Sequence, residues 1–120
     1  MLEIQGLVVR GKGEGRALGY PTANLEYQSA QTPERGVWVC RAHVGPHEHQ
    51  GLAVVGMWKL ENRLPSVEVY ILDFDEDLYD QTLTITLELK LRDLKVFSDM
   101  TKLLSQIEQD VMQARTYFSS

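Results

Sequence analysis

At 120 residues, with 43% hydrophobic and 24% charged residues, the chain has the size and composition of one globular domain spanning residues 1–120. Its formal net charge of −5 argues against a general nucleic-acid-binding protein, since such proteins are normally basic. No apolar run could span a bilayer, the N-terminus lacks the apolar core of a signal peptide, and the lone Cys40 has no partner for an internal disulfide. We expect a cytoplasmic protein, simplest as a monomer, with no nucleic-acid or membrane partner.

The first four fifths of the chain predict strands joined by turns. Alternating apolar residues and a high content of β-branched and aromatic side chains mark these strands. We expect them at residues 2–10, 22–27, 36–44, 52–58, 66–74 and 82–91, with turns at 45–51 and 75–80. In the last strand one face is predicted to carry Leu83, Ile85, Leu87, Leu89 and Leu91.

From about Ser98 the apolar spacing changes to that of a helix, with either Ser98 or Asp99 as N-cap. The predicted apolar stripe consists of Leu103, Leu104, Ile107, Val111, Ala114 and Phe118. Strands joined by short turns cannot form a parallel sheet, which needs long crossover connections. The pattern therefore predicts an antiparallel β-barrel or sandwich closed by one C-terminal helix.

A glycine-rich, basic stretch, GKGEGRALGYPTAN, occupies residues 11–24. It contains neither the Gly-Lys-Ser/Thr end of a P-loop nor the G-x-G-x-x-G dinucleotide fingerprint, since Gly11, Gly13 and Gly15 follow a G-x-G-x-G spacing. Glycines let backbone N–H groups approach a ligand closely, and Lys12 and Arg16 add positive charge. The residues fit an anion-binding loop and a solvated hairpin loop about equally well.

The stretch ends in Thr22 and Asn24, whose side chains point the same way on an extended segment. A hydroxyl and an amide oxygen beside a phosphate loop suit Mg²⁺, which completes its octahedron with phosphate oxygens and water. Local turn hydrogen bonds are the alternative, and these two residues taken alone favour it. Glu68 lies mid-strand on the face opposite Val67 and Val69, where it is either a solvated carboxylate or a base lining a cleft.

Two further clusters contain side chains of the types that bind metal ions. The first comprises Cys40, His43, His47 and His49, whose spacing matches no standard zinc motif. The second is the acidic run Asp73, Asp75, Glu76 and Asp77, which lacks the glycine and the terminal glutamate of a calcium loop. The first cluster lies in a segment with the composition of a turn, and the second is better explained as a solvated turn.

Four segments, in this order, resemble the riboflavin kinase (flavokinase) family, in particular the C-terminal kinase domain of bacterial bifunctional FAD synthetases. They are GLVVRGKGEGRALGYPTANL, GVWVCRAHV, VEVYILDFDEDLYDQTLTITLELKLRDLKVF and LLSQIEQDVMQAR, and together they span nearly the whole chain. The resemblance implies a mainly β fold, a six-stranded antiparallel Greek-key β-barrel with a C-terminal α-helix. It also implies Mg²⁺-dependent transfer of the γ-phosphoryl group of ATP to the 5′-hydroxyl of riboflavin, which gives FMN and ADP.

The resemblance also implies a role for individual residues. Glu68 matches the catalytic base, Thr22 and Asn24 match the Mg²⁺ and phosphate contacts, and Arg92 and Phe97 match the segment that closes over the flavin. The implied ATP-binding residues are Gly11, Lys12, Gly13, Gly15, Arg16, Gly19, Thr22, Tyr70, Asp73 and Asp75, with Tyr70 in place of a common His.

The stretch VVGMWKLENRLPSVEV departs from the family pattern. It lacks a Pro-Thr pair, it has Val54 or Val55 in place of an Asn, and the loop 57–65, which lies near the substrates in the family, is compact. This departure keeps a second function open, a non-catalytic flavin- and nucleotide-binding regulatory domain on the same barrel. An unrelated β-barrel interaction module is a third reading, and the set Thr22, Asn24 and Glu68 argues against it.

Overall fold

Alternating side chains in the strands build a closed barrel in the computed structural model, which describes residues 1–10 and 22–120. The strands are β1 (Leu2–Val9), β2 (Ala23–Tyr27), β3 (Gly36–Val44), β4 (His47–Lys59), β5 (Pro65–Ile71) and β6 (Thr82–Arg92). They are hydrogen-bonded in the order β1-β2-β5-β4-β3-β6, and each neighbouring pair is antiparallel. Since β3, β4 and β5 are consecutive neighbours and β6 returns beside β3, this order is a Greek key, as predicted.

The barrel interior is filled by one side chain in two along each strand. Its main apolar residues are Ile4, Leu25, Val55, Val67, Val69, Leu83 and Ile85, each at most 1% exposed. Because successive side chains of a strand point to opposite faces, the residues between them lie on the outside of the barrel. Glu68, between Val67 and Val69, is therefore on the outer face.

A single helix follows the barrel in the described part of the chain, α1 (Met100–Ser119). Asp99 is its N-cap, and the Asp99 side chain accepts a hydrogen bond from the backbone N–H of Lys102 at 2.9 Å. The helix packs its C-terminal half on the outer face of the barrel, in a cluster that includes Val37, Val39, Leu52, Leu72, Val111, Ala114 and Phe118. No helix in the described part of the chain is both long and apolar enough to cross a membrane.

Three details of the predicted strands were wrong. The strand predicted at residues 66–74 ends at Ile71, because the chain turns at residues 72 and 73, where Asp73 has a φ of 55°. The predicted turn 45–51 is only two residues long, because Gly45, with φ of 58°, allows a tight hairpin in which Val44 pairs with His47.

In β6, two register shifts occur against β3, because Leu87 is opposite Cys40 but Leu89 is opposite Val39, and Lys90 is opposite Trp38 but Arg92 is opposite Val37. Each shift leaves one extra residue in β6, so that the first forms a bulge at Glu88. Such a bulge reverses the alternation. Leu89 is consequently 44% exposed, and Leu91 packs in the cluster beneath α1 instead of in the barrel interior.

Candidate active site

The pairing of β2 with β5 brings Thr22, Asn24 and Glu68 together. Asn24 lies directly opposite Glu68 in the antiparallel register. The Thr22 hydroxyl donates a hydrogen bond to Glu68 Oε1 at 3.3 Å, across 46 positions of sequence. The three side chains, which are separate candidates in the sequence, thus form one polar group on the outer face of the barrel.

The Asn24 side chain is buried without full pairing. Asn24 is 8% exposed, and its Oδ1 atom has no hydrogen-bond partner among the described residues. Leaving a buried acceptor unpaired costs about 1–3 kcal/mol, so such an atom calls for a reason. The hydroxyl of Thr22, the amide oxygen of Asn24 and the nearby carboxylate of Glu68 are hard oxygen donors of the kind Mg²⁺ prefers. The residues present therefore fit a magnesium ion that shares its remaining positions with phosphate and water.

A cavity of about 300 Å³ opens beside these residues. One wall is formed by Thr22, Ala23 and Asn24, and the other by residues 74–79, which include Asp75. At its rim the Arg10 guanidinium lies 4.2 Å from the centroid of the Tyr79 ring, a cation–π contact. The volume is at the lower end of the range for small-molecule sites. The cavity brings the predicted ATP contact Asp75 to the same site as Thr22 and Asn24.

Sequence reasoning missed Arg10 and Tyr79 as site residues. Arg10 is the last described residue before the glycine-rich stretch, and its charge could have been counted with Lys12 and Arg16. Tyr79 lies in a segment interpreted only as an acidic turn, and a tyrosine among acidic turn residues gives no signal by itself. The contact between them depends on the return of the chain after β5, which the sequence does not reveal.

A second cavity, of about 250 Å³, shares Val9, Arg10 and Asn24 with the first. Its other lining residues include Trp58 and Leu60 from the stretch that departs from the family pattern. That stretch is fixed to β2, because Asn62 Nδ2 donates to the backbone oxygen of Tyr27 at 2.9 Å. The Tyr27 hydroxyl in turn donates to the backbone oxygen of Pro65 at 2.6 Å. Asn24 therefore lies between two cavities with well-anchored walls.

Two further predicted nucleotide contacts, Tyr70 and Asp73, lie on the side of the barrel that α1 covers. Asp73 accepts two hydrogen bonds from Arg115 of α1, each 2.9 Å long, and this contact lowers the pKa of the Asp73 carboxyl below its usual value. Tyr70 is half-buried and packs against the cluster beneath α1. The structure thus places Asp73 and Tyr70 next to the helix, whereas Asp75 lines the cavity.

The two residues predicted to bind flavin lie at and after the end of β6. Arg92 is opposite Val37 of β3 and forms an ion pair with Asp110 of α1, with 2.7 Å between Nη2 and Oδ2. Phe97 is half-buried in the segment between β6 and α1. Asp110 was missed by sequence reasoning. Its position three residues after Ile107 and four before Ala114 puts an acid on the apolar stripe of the helix, and this was the available signal.

A family model for flavokinase, described as riboflavin kinase, matches residues 1–118 of the chain. The chain belongs to the flavokinase family. Among curated relatives, the bifunctional riboflavin kinase/FMN adenylyltransferase of Bacillus subtilis (strain 168) is 30% identical over 122 residues. The protein of the same description from Escherichia coli (strain K12) is 32% identical over 117 residues.

These matches cover 98% and 96% of the chain but 39% and 37% of the two relatives, so the chain spans less than two fifths of their length. A crystal structure described as a macrolide-efflux protein from Streptococcus pneumoniae superposes with a TM-score of 0.86 at 31% identity, over 95% of this chain and 38% of that one. Riboflavin kinase from Trypanosoma brucei superposes with a TM-score of 0.71 at 20% identity, over 98% of this chain and 80% of that one, which shows the shared fold.

Within this flavokinase domain, the valine beside the candidate base can now be identified. Val55 is fully buried in the barrel interior, whereas Val54 lies on the outer face and pairs with Glu68 in register. Of the two valines, Val54 is therefore the one that lies beside Glu68.

Two sets of residues from the sequence analysis remain, the phosphate contacts of the glycine-rich stretch and the candidate metal clusters. The phosphate contacts predicted at Gly11, Lys12, Gly13, Gly15, Arg16 and Gly19 lie outside the described residues and stay predictions. In the described ranges, 1–10 and 22–120, no group of three or more His, Cys, Asp or Glu residues could hold a metal ion. Cys40 in particular is fully buried in the barrel interior, whereas His47 is exposed in the β3–β4 hairpin.

Proposed function

We propose that the chain is a riboflavin kinase, which transfers the γ-phosphoryl group of ATP to the 5′-hydroxyl of riboflavin and releases FMN and ADP. The observation that carries the proposal is the group formed by Thr22, Asn24 and Glu68 across the β2–β5 pair, next to the cavity of about 300 Å³. Membership of the flavokinase family supports the choice of substrates.

Glu68 has the role of general base in this proposal. Its carboxylate is held on a strand and receives the Thr22 hydrogen bond, so its direction is fixed before substrate arrives. The ribityl oxygen forms a bond to the γ-phosphorus while the bond between that phosphorus and the bridging oxygen of ADP breaks. The hydroxyl proton passes to Glu68. Because phosphoryl transfer depends mainly on positioning and charge neutralisation, an ordinary carboxylate is sufficient for this step.

We assign the magnesium contacts to Asn24 Oδ1 and Thr22 Oγ1. Bound there with the nucleotide, Mg²⁺ would neutralise the charge of the phosphate oxygens. The unpaired Asn24 Oδ1 supports this assignment, since a cation would satisfy it. The cavity lined by Asp75 and Tyr79 is our proposed nucleotide site, with Lys12, Arg16 and the glycines between residues 11 and 19 as further phosphate contacts. Arg92 and Phe97 are our proposed flavin contacts.

Replacement of the base tests the proposal. Glu68→Ala should fold normally and lose essentially all FMN formation from riboflavin, ATP and Mg²⁺, as measured by HPLC with and without the metal. Glu26→Ala is a matched control, because Glu26 is an exposed carboxylate on β2, two residues from Asn24. We expect the control to retain wild-type turnover. FMN formation by the Glu68→Ala protein would eliminate Glu68 as the base.

A second candidate function is a non-catalytic flavin- and nucleotide-binding regulatory domain. The observation that favours it is Val54, an apolar residue in direct register with Glu68. Flavin binding alone does not separate the two functions, because both require it. Tight riboflavin binding by the wild-type chain, with no FMN formed in the presence of ATP and Mg²⁺, would favour the regulatory domain.

A further inference from the structure

Arg10 lies where the two cavities beside Asn24 meet. The cavities of about 300 Å³ and about 250 Å³ both have Arg10 and Asn24 in their walls. Val9, the residue before Arg10, is directly opposite Asn24 in the pairing of β1 with β2. Among the described residues that line the two cavities, Arg10 is the only cation. The mechanism proposed above gives this charge no role.

The guanidinium of Arg10 is held by an aromatic ring. Its Cζ atom lies 4.2 Å from the centroid of the Tyr79 ring. A cation–π contact orients a guanidinium without supplying an acceptor for its five N–H donors. In the described part of the chain, no hydrogen bond or ion pair engages these donors. An oxyanion in either cavity would supply the missing acceptor.

The Tyr79 ring is carried by a segment that is bonded to β1. The Val8 N–H donates to the backbone oxygen of Gln81 at 2.8 Å, and the Asp80 N–H donates to the backbone oxygen of Val8 at 2.9 Å. The backbone around Tyr79 is therefore fixed relative to the strand that leads into Arg10. The ring gives the Arg10 side chain a direction that a solvated arginine at a strand end lacks.

The charges around the larger cavity are divided between its two sides. Asp75, Glu76 and Asp77 line the side that follows β5, whereas Arg10 lies near Asn24. Because like charges repel, the carboxylates disfavour a phosphate chain beside them and the guanidinium attracts it. A nucleotide in this cavity should therefore place its phosphates at the Arg10 end and its uncharged nucleoside near the carboxylates.

The Arg10 end of the cavity is also the end that reaches the proposed base. Thr22 lines the cavity with Arg10, and its hydroxyl donates to Glu68 Oε1 at 3.3 Å. Asn24, which lines the cavity too, is directly opposite Glu68 in register. Since the transferred phosphoryl group must meet the hydroxyl that Glu68 activates, the terminal phosphate of the donor belongs at this end.

We propose that Arg10 is a further catalytic residue, whose guanidinium donates hydrogen bonds to the phosphoryl group during its transfer, and that Tyr79 is the residue that positions it. The inference rests on the proposed function, which supplies ATP as the donor. Charge spreads over the oxygens of the transferred group in the transition state, so a guanidinium already in place there lowers the barrier. Arg10 exchanges no proton in this role, because a guanidinium stays charged in proteins.

The test compares the kcat of FMN formation, measured by HPLC, with the Kd for ADP in the presence of Mg²⁺, measured by calorimetry. Arg10→Gln should lower kcat about a hundredfold or more, since an arginine that stabilises a transferred phosphoryl group contributes about 10³- to 10⁵-fold in other enzymes. The Kd for ADP should not change, because ADP lacks the transferred group. Lys102→Gln is the matched control, because it removes an exposed cation that lines neither cavity, and it should keep the wild-type kcat.

Variants of Tyr79 test the positioning role separately. Tyr79→Leu removes the aromatic face and should lower kcat about two- to fivefold, which corresponds to an exposed cation–π contact. Tyr79→Phe keeps the aromatic face and should recover most of that loss. In an Arg10→Gln background, adding Tyr79→Leu should cause no further loss, because Tyr79 acts through Arg10. Arg10 and Tyr79 are both exposed, so these variants should keep the wild-type melting temperature.

The outcomes separate this inference from the proposed function. A near-wild-type kcat for Arg10→Gln, or a rise in its Kd for ADP as large as the fall in kcat, would overturn the assignment of Arg10 to the transferred group alone. A wild-type kcat for Tyr79→Leu would overturn the positioning role of Tyr79. Absence of FMN formation by the wild-type chain would instead overturn the proposed function.

Discussion

Replacing Asn24 by leucine should make the ligand-free protein more stable and the enzyme inactive. The Asn24 side chain is 8% exposed, and its Oδ1 has no partner among the described residues. An unpaired buried acceptor costs about 1–3 kcal/mol, and leucine has a similar size without that atom. We therefore expect a gain of about 1 kcal/mol in the free energy of unfolding, or a rise of about 4 °C in the melting temperature for a chain of this length.

The same substitution removes a proposed magnesium contact. We expect FMN formation to fall by at least about a hundredfold, since even indirect partners of a bound metal typically cost about 10- to 100-fold when removed. A substitution that raises stability and lowers activity is typical of a residue that serves function and costs the fold stability.

Thermal unfolding followed by circular dichroism, without nucleotide or metal, measures the stability change, and HPLC measures FMN. Asn62→Leu is the control for the sign of the effect. Asn62 uses both ends of its amide, donating to the Tyr27 backbone oxygen at 2.9 Å and accepting from the Leu64 N–H at 3.0 Å. Its replacement should lower the melting temperature. A clear loss of stability in Asn24→Leu, or near-normal turnover, would refute the assignment of Asn24 as an unpaired ligand-binding residue.

Two more predictions concern buried titratable groups. Burial raises the pKa of Tyr27 to about 12 from an ordinary value of 10.0, so the neutral hydroxyl that donates to Pro65 stabilises the fold below about pH 10 and loses this effect as pH rises towards 12. The stability advantage of wild type over Tyr27→Phe should therefore shrink by about 2 kcal/mol between about pH 9 and about pH 11.5 in urea titrations, and a constant difference would contradict this. Burial, followed by the nearby Glu88 charge, raises the pKa of the Cys40 thiol to about 12. Cys40 should therefore react with a thiol reagent at about pH 8 only after unfolding, and fast labelling of the native protein would show that the barrel interior opens.

The fold could be predicted because its strands alternate strongly and its turns are short. Residues 36–44 and the helix after Asp99 were placed correctly from periodicity and capping alone. The prediction failed where one extra residue changes the phase of a strand. The sequence TLTITLELKL alternates without interruption, so nothing in it marks the bulge that exposes Leu89. The bulge follows from pairing with β3, and pairing is a tertiary property.

The candidate site, too, could be predicted only in part, because it depends on which strands pair. Thr22 and Asn24 were placed on one side because residues two apart on a strand share a face. Glu68 could not be assigned to them from periodicity, since its neighbour depends on β2 pairing with β5, which are not consecutive strands. Asp110 was left out of the predicted apolar stripe of the helix, because an acid between apolar positions usually faces solvent. The burial of Asp110 is explained only by its ion pair with Arg92, at the end of β6.

The two arginine–aspartate pairs of α1 connect these observations. Arg115 holds Asp73, which lies two residues before the cavity-lining Asp75, and Asp110 holds Arg92, which we assign to the flavin. The first pair is exposed and contributes little to stability, whereas the second is buried and has a fixed geometry. One helix therefore contacts both the segment that lines the proposed nucleotide cavity and the residue proposed to bind the acceptor. Because phosphoryl transfer requires the donor phosphate and the attacking hydroxyl in line, we expect α1, which contacts both sides, to contribute to their alignment in the proposed reaction.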